Sequence, residues 1–389
     1  MGIYLGREMK MYDLVVLGSG IFAESFLKNR PDGDEKILAT CNNVTNVLRM
    51  IELDQKSVIS SGTGLGLSSK WHSVIPFKYV SGKVNSFLTQ MYPNFRFNFH
   101  LTSDFHRFFV PYMPWRPKFS RIAKIKNVTL IDELAYSLDI NKSGEVVIQF
   151  ESQIILARRI VLAIGPISMH SLIRRSSDAV KKIIGLNTFM DDHVSSYLGN
   201  SSKKFDIKKS FHGAGFSYRA IVKKDFVHFQ RPAYFDFRNV TAVMKFDRGW
   251  AETPANIILN IFRRFSVGLV LEAFFNKLGI QLLPTKTYNF YTQFCVDGLY
   301  KFEEGAWRVN FAAITRAQSA LDKEMLNLKL HHNAPKFNFS AGIHYANSCA
   351  MLVEDDRFLV LDASVNRLNS PLHHTFLLAN RAANLSFNQ

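Results

Sequence analysis

Apolar positions fall into runs whose spacing changes along the chain, and the changes mark the elements. Residues 12–28, YDLVVLGSGIFAESFLK, predict a strand buried on both faces, a glycine turn and a helix. EKILATCNN predicts a second strand ending near Cys41–Asn42. From Val128 to Val161, alternating apolar residues on either side of a Lys–Ser–Gly turn at 142–144 predict a small antiparallel ribbon. ARRIVLAIG then predicts a further buried strand, followed by a helix over SMHSLIRR. Aromatic-rich strand patterns cover Phe211–Val222 and Val227–Arg238. PANIILNIFRRFSVGLVLEAFFNKLGIQLL is apolar around nearly all its faces, and Arg263, Arg264, Glu272 and Lys277 interrupt it before the roughly twenty residues a membrane span needs. Near the C-terminus RFLVLDASVNRL predicts a strand and SPLHHTFLLANRAA a helical run. Strands alternating with helices give an α/β fold, expected as a Rossmann-like domain with a discontinuous, sheet-containing second domain.

Composition narrows the classes. With 389 residues, 47% of them apolar, the chain has ample material for a folded core. The formal charge of +16 raises nucleic acid as a partner, but the basic residues are scattered in pairs such as Lys181–Lys182 and Arg263–Arg264. No recognition helix, zinc knuckle or RNP-like motif accompanies them, so no nucleic acid is expected. Three scattered cysteines, Cys41, Cys295 and Cys349, make neither a disulfide framework nor a zinc cluster. No metal is expected, and the Asp191–Asp192–His193 trio reads as structural. The first apolar run is too short for a signal peptide, so a cytoplasmic location is expected, with peripheral membrane contact through 254–283 as the sharper reading of that apolar segment.

Three stretches carry candidate chemistry. Gly18, Gly20 and Ala23 form GxGxxA between a strand and a helix, where small residues permit a tight turn and a helix N-terminus receives a pyrophosphate. The loop ISSGTGLGLSSKWHSVIPF supplies Gly64, Gly66, Ser68 and Ser69, whose backbone can approach a phosphate or a planar ring without side-chain clash. In the third, His344 and His373/His374 flank a strand that ends at Asp362–Ala363.

The third stretch, HxxxSCxM, then DAS, then His before a Thr-led apolar helix, resembles the C-terminal signature of glucose–methanol–choline (GMC) flavin oxidoreductases. GLSSKWHSVIP is similar to the flavin loop of the pyranose 2-oxidase branch. Taken together, the resemblance covers about half the chain, in blocks 12–28, 62–77 and 341–383. It implies FAD held by Gly18, Gly20, Ala23, Asn42, Gly64, Gly66, Ser68, Ser69, Trp71, His72, Ala163, Gly165, Asp362, Ala363 and Thr375. Lys70 stands where that branch has the histidine that carries flavin covalently, so a non-covalent FAD is expected. No acid follows the second strand to hold the ribose, which leaves Asn42 or Asn43 to bond its hydroxyls. Asn347–Ser348 stands in place of the family's Gly-Thr.

By the same resemblance His344 is the general base and His373 its partner, with His374 the adjacent alternative. The implied activity is removal of hydride from a secondary alcohol, a sugar or glycoconjugate hydroxyl, with an unknown electron acceptor. Two alternatives stand beside it: a flavin-dependent epimerase without net oxidation, and a non-catalytic nucleotide-binding protein. The expected FAD-binding domain comprises 11–78, 121–200 and 336–389, and the substrate domain 79–120 and 201–335.

Overall fold

The protein is described by a computed structural model over residues 9–18, 21–28, 34–40, 73–76, 96–98, 105–109, 122–201, 211–213, 216–222, 226–232, 288–327, 340–341 and 345–365. Its elements run β1 (Lys10–Leu17), α1 (Ile21–Lys28), β2 (Ile37–Thr40), β3 (Ser73–Pro76), β4 (Arg96–Asn98), β5 (Phe105–Phe109), β6 (Val128–Ile131), β7 (Ser137–Ile140), β8 (Val146–Gln149) and β9 (Ile154–Leu162). Helices α2 (Pro166–Arg175) and α3 (Asp178–Ile184) follow, then β10 (Phe189–Ser201), β11 (Phe211–Gly213), β12 (Phe216–Val222), β13 (Phe226–Pro232), β14 (Tyr288–Glu303) and β15 (Ala306–Val309). The described chain closes with α4 (Phe311–Asn327), β16 (Ser340–Ala341), β17 (Phe358–Val360) and a 3-10 turn at Ala363–Val365.

The apolar run of β1 is buried on both sides because β1 is central. It pairs in parallel with β2, Leu14 opposite Ile37, and with β9, Leu17 opposite Leu162. Strand β6 extends the sheet beyond β2, also in parallel. On its far side β9 serves two partners: its first half pairs antiparallel with β8, and its last residues pair in parallel with β17, Phe358 opposite Ile160. Alternate residues of β1 then face opposite layers, as the two-residue period of a strand requires. Leu14 and Val16 pack with Ala23, Phe26 and Leu27 of α1, while Val15 and Leu17 pack with Met169, Leu172 and Ile173 of α2 and Val180 of α3.

A second, mostly antiparallel sheet has the order β11-β12-β13-β14-β10-β16, with β15 on β14. Its core joins Met190, Val194, Phe294, Leu299, Tyr300 and Trp307 to Ala313, Ala317 and Leu321, the i, i+4, i+8 stripe of α4. The two sheets meet at His170 of α2, 3% exposed, whose ring centroid lies 4.5 Å from that of Phe302 and 4.7 Å from that of Trp307. Burial, helped by the positive charge of Arg174, pushes the His170 imidazole down to about 4; a hydrogen bond to the Asn187 main chain acts the other way.

The β7–β8 hairpin forms as expected, around Gly144 at φ +86° with Asn141 and Glu145 closing the turn. The start of the same stretch differs. Val128–Ile131 leaves the ribbon and becomes the parallel edge strand beside β2, because five residues separate it from β7 and its alternation fits either partner. Helix α2 begins two residues before SMHSLIRR, at Pro166, where a proline suits the first helical position. Residues 189–201, which the expected boundaries place in the first domain up to residue 200, are β10 of the second sheet. Among the described residues no helix is long and apolar enough to cross a membrane; segment 254–283 lies outside them.

Candidate functional site

The helices after β1 and β9 pack on opposite faces of the sheet, α1 on one and α2 on the other. That reversal between neighbouring parallel strands is a topological switch point, which opens a crevice beyond the carboxyl ends of the strands. Strand β17 ends at the same edge, paired with the end of β9. Gly18, Ala163 and Gly165, and Asp362 with Ala363, therefore arrive together from three distant parts of the sequence.

Gly18 is fixed by its neighbours. The Ala163 N–H donates to Leu17 O (2.9 Å), drawing the end of β9 against β1. Gly18 sits at φ +114°, and a Cβ there would lie 2.3 Å from Ala163 O. Its own N–H donates to the buried Thr40 hydroxyl at 3.1 Å. Thr40 thus holds the end of β2 to the turn, a role the sequence reading did not assign; the only sequence signal is a hydroxyl residue closing the apolar run ILAT. Ala23 is fully buried on α1, so its small side chain sets the close helix-to-sheet distance.

The β17 end is locked by one carboxylate. Asp362, 5% exposed, accepts from the Gly165 N–H through Oδ2 at 2.7 Å, while its Oδ1 accepts from the Ser364 N–H at 2.8 Å and from the Ser364 hydroxyl. Gly165, at φ +82°, precedes the first turn of α2. The preceding loop is tied on as well: Asn347 N–H donates to Ala363 O (3.0 Å), Cys349 N–H to Ser364 O (2.8 Å) and the Ser348 hydroxyl to Pro166 O (2.7 Å). Asn347 occupies the left-handed region, φ +61°, which asparagine enters more readily than most residues. Burial pushes the Cys349 thiol up to about 12, so it is a packing residue and not a nucleophile.

Asp362 thus organises the crevice rather than standing free in it. Replacing Asp362 with alanine leaves the Gly165 and Ser364 amides without their acceptor and is expected to cost about 2–4 kcal/mol. Urea unfolding of the variant measures this, and a loss under about 1 kcal/mol would reject the role.

The structure brings together Gly18, Ala163, Gly165, Asp362 and Ala363, with Ala23 on the helix behind Gly18. Gly20, Asn42, Gly64, Gly66, Ser68, Ser69, Trp71, His72, His344, His373 and Thr375 lie outside the described residues. Thr40 joins the site without having been named from sequence, and Ser348 and Ser364, seen there only as motif letters, join it through their hydroxyls. Among the described residues no group of three or more His, Cys, Asp or Glu side chains is arranged to hold a metal.

No family model matches the chain. No curated protein matches it either. Solved structures do: PqsL, a probable FAD-dependent monooxygenase from Pseudomonas aeruginosa, at 8% identity over 97% of this chain and 85% of that one, TM-score 0.40. Tetracycline destructase Tet(51) matches at 10% over 98% and 81%, TM-score 0.35, and a flavoprotein/dehydrogenase from Cytophaga hutchinsonii at 11% over 97% and 76%, TM-score 0.38. These are not GMC oxidoreductases, so the expected membership of that family and of its pyranose 2-oxidase branch is corrected. The short motifs behind it, GxGxxA and DAS, mark strand ends at a switch point, and many α/β proteins have such ends.

Proposed function

We propose that this chain binds FAD at the switch point and acts as a flavin-dependent oxidoreductase. The observation that carries the proposal is the Gly18–Ala163 approach: β1 and β9 are drawn so close that only glycine fits, at the position where a dinucleotide crosses from one half of such a sheet to the other. The residues present fit the group. Gly18 and Ala23, with Gly20, open the α1 N-terminus to a pyrophosphate. Gly165, Ala163 and the Ala363–Ser364 main chain form the opposite wall, held rigid by the Asp362 carboxylate.

When bound, FAD supplies a two-electron acceptor. The chain's contribution is to bind and orient it. Charge at the α1 start is balanced within the protein, because the buried Glu24 pairs with Lys28 at 2.5 Å. The proton-carrier roles expected of His344 and His373 came only through the GMC resemblance and are not carried forward. The sugar and secondary-alcohol substrate rested on the corrected family and falls with it.

The test is the visible spectrum of the purified full chain, then of the supernatant after acid precipitation. Flavin bands that leave with the supernatant are the expected result and give non-covalent FAD. A colourless protein that also fails to take up added FAD rejects the proposal and leaves a non-catalytic role.

A further inference from the structure

The carboxyl end of β2 carries a polar group that the fold uses on one side only. Thr40 is the last residue of the strand, 1% exposed, between Leu17 of β1 and Ile131 of β6. A threonine hydroxyl offers two acceptor positions and one proton. Its oxygen accepts from the Gly18 N–H at 3.1 Å. Among the described residues nothing accepts its proton in return. Buried hydroxyls as a rule use theirs, so this one is set to donate to a ligand oxygen.

The sheet indicates which ligand. A dinucleotide crossing a switch point puts its pyrophosphate at the N-terminus of the first helix and its adenosine ribose over the end of the second strand, where a carboxylate usually bonds the ribose hydroxyls. Gly165, Ala163 and the Ala363–Ser364 main chain stand on the other side of β1, at the ends of β9 and β17. No carboxylate follows β2: from Cys41 to Ile51 the chain has neither Asp nor Glu. Thr40 is the polar side chain that the strand end itself supplies.

We infer that Thr40 holds the adenosine half of the cofactor, its hydroxyl accepting from the Gly18 amide and donating to an oxygen of that half. The assignment rests on the proposed FAD site and adds a ligand to it. One oxygen then does two things: it fixes the glycine turn, and the Gly18 amide orients the proton that it offers. Being neutral, the hydroxyl bonds a ribose or phosphate oxygen without placing a carboxylate charge beside the pyrophosphate.

The test is fluorescence titration of the full chain, freed of flavin, with FAD and separately with FMN, which lacks the adenosine half. Titration calorimetry with ADP reads the adenosine half without any flavin. Thr40→Val keeps the branched shape and removes the hydroxyl, Thr40→Ser keeps the hydroxyl, and thermal unfolding midpoints show that the variants compared are folded. Thr40→Val is expected to weaken FAD and ADP at least about tenfold and FMN no more than about threefold, and Thr40→Ser to recover most of the loss. An equal loss for FMN would make Thr40 a support of the turn alone and overturn the inference, as would unchanged FAD and ADP affinity in Thr40→Val. Should Thr40→Val not fold, the wild type decides: FAD bound at least about tenfold more tightly than FMN supports the inference, and equal affinities overturn it. A wild type that takes up no flavin rejects the FAD site and this inference with it, whereas a wild type that binds FAD beside an indifferent Thr40→Val rejects this inference only.

Discussion

Gly18→Ala is expected to lose at least about 3 kcal/mol of stability and, with it, the ability to hold flavin. Two costs add at this position. The backbone lies at φ +114°, where a residue with a Cβ is strained, and the added methyl would sit 2.3 Å from Ala163 O and 2.8 Å from Ala163 C, both main-chain atoms of a strand end that cannot swing aside. Relief requires β9 to move away from β1, which breaks the 2.9 Å bond from Ala163 N–H to Leu17 O. Gly144→Ala is the matched control. It also has a positive φ, +86°, but a Cβ there meets nothing within 4 Å, so only backbone strain of about 1 kcal/mol is expected. Urea unfolding of both variants, with visible absorbance of the Gly18 variant, separates the two contributions. Equal losses in the two would remove the close approach from the account of the crevice.

The second large effect is acid lability at the junction of the sheets. His170 is held near 4 in the folded chain against an ordinary value of 6.5. Between those two values the unfolded chain binds a proton that the folded chain refuses, so stability rises with pH in that window and is lost as pH falls from about 6.5 towards 4. A shift of this size corresponds to about 3 kcal/mol. His170→Phe and His170→Gln remove the titrating group, and each is expected to flatten the pH dependence of unfolding in this window, whatever its own stability at neutral pH. Identical slopes in wild type and both variants would show that the imidazole is not the source. Arg174→Gln gives a finer check: without that nearby charge the His170 value should rise and the acid loss should shrink.

Much of the first sheet was legible because its strands carry their signal locally. YDLVVL, ILAT and the aliphatic end of ARRIVL are apolar at consecutive positions, as strands covered on both faces must be, and Gly18 follows the first at once. The misread piece, Val128–Ile131, shows where that signal stops. Alternation reports that a strand has two different faces but carries no information about which neighbour it will pair with. The second sheet was harder for the same reason, and because β14 runs sixteen residues through a bulge at Gly298 that shifts its register partway. Helix α4 went unassigned although Ala313, Ala317 and Leu321 repeat at helical spacing, since small residues give a weak apolar stripe. At the site, Gly18, Ala163, Gly165 and Asp362 were readable as motif positions. The roles of Thr40 and Ser348 were not, because a hydroxyl that bonds a backbone atom far away in sequence leaves no local pattern. The family assignment failed at the same boundary: short motifs describe how a strand ends, not which chemistry was built over it.

The Asp362 bond to Gly165 spans 197 residues of chain, and β9 has its far edge covered only when Phe358–Val360 arrives. At ribosomal rates of about 5–20 residues per second, β9 waits roughly 10–40 s for this last neighbour. During that interval the end of β9 presents unpaired amides and carbonyls to whatever else is nearby. The crevice is thus completed late in biosynthesis, and truncation anywhere before residue 358 is expected to yield chains that stick to one another through that edge rather than a smaller folded protein.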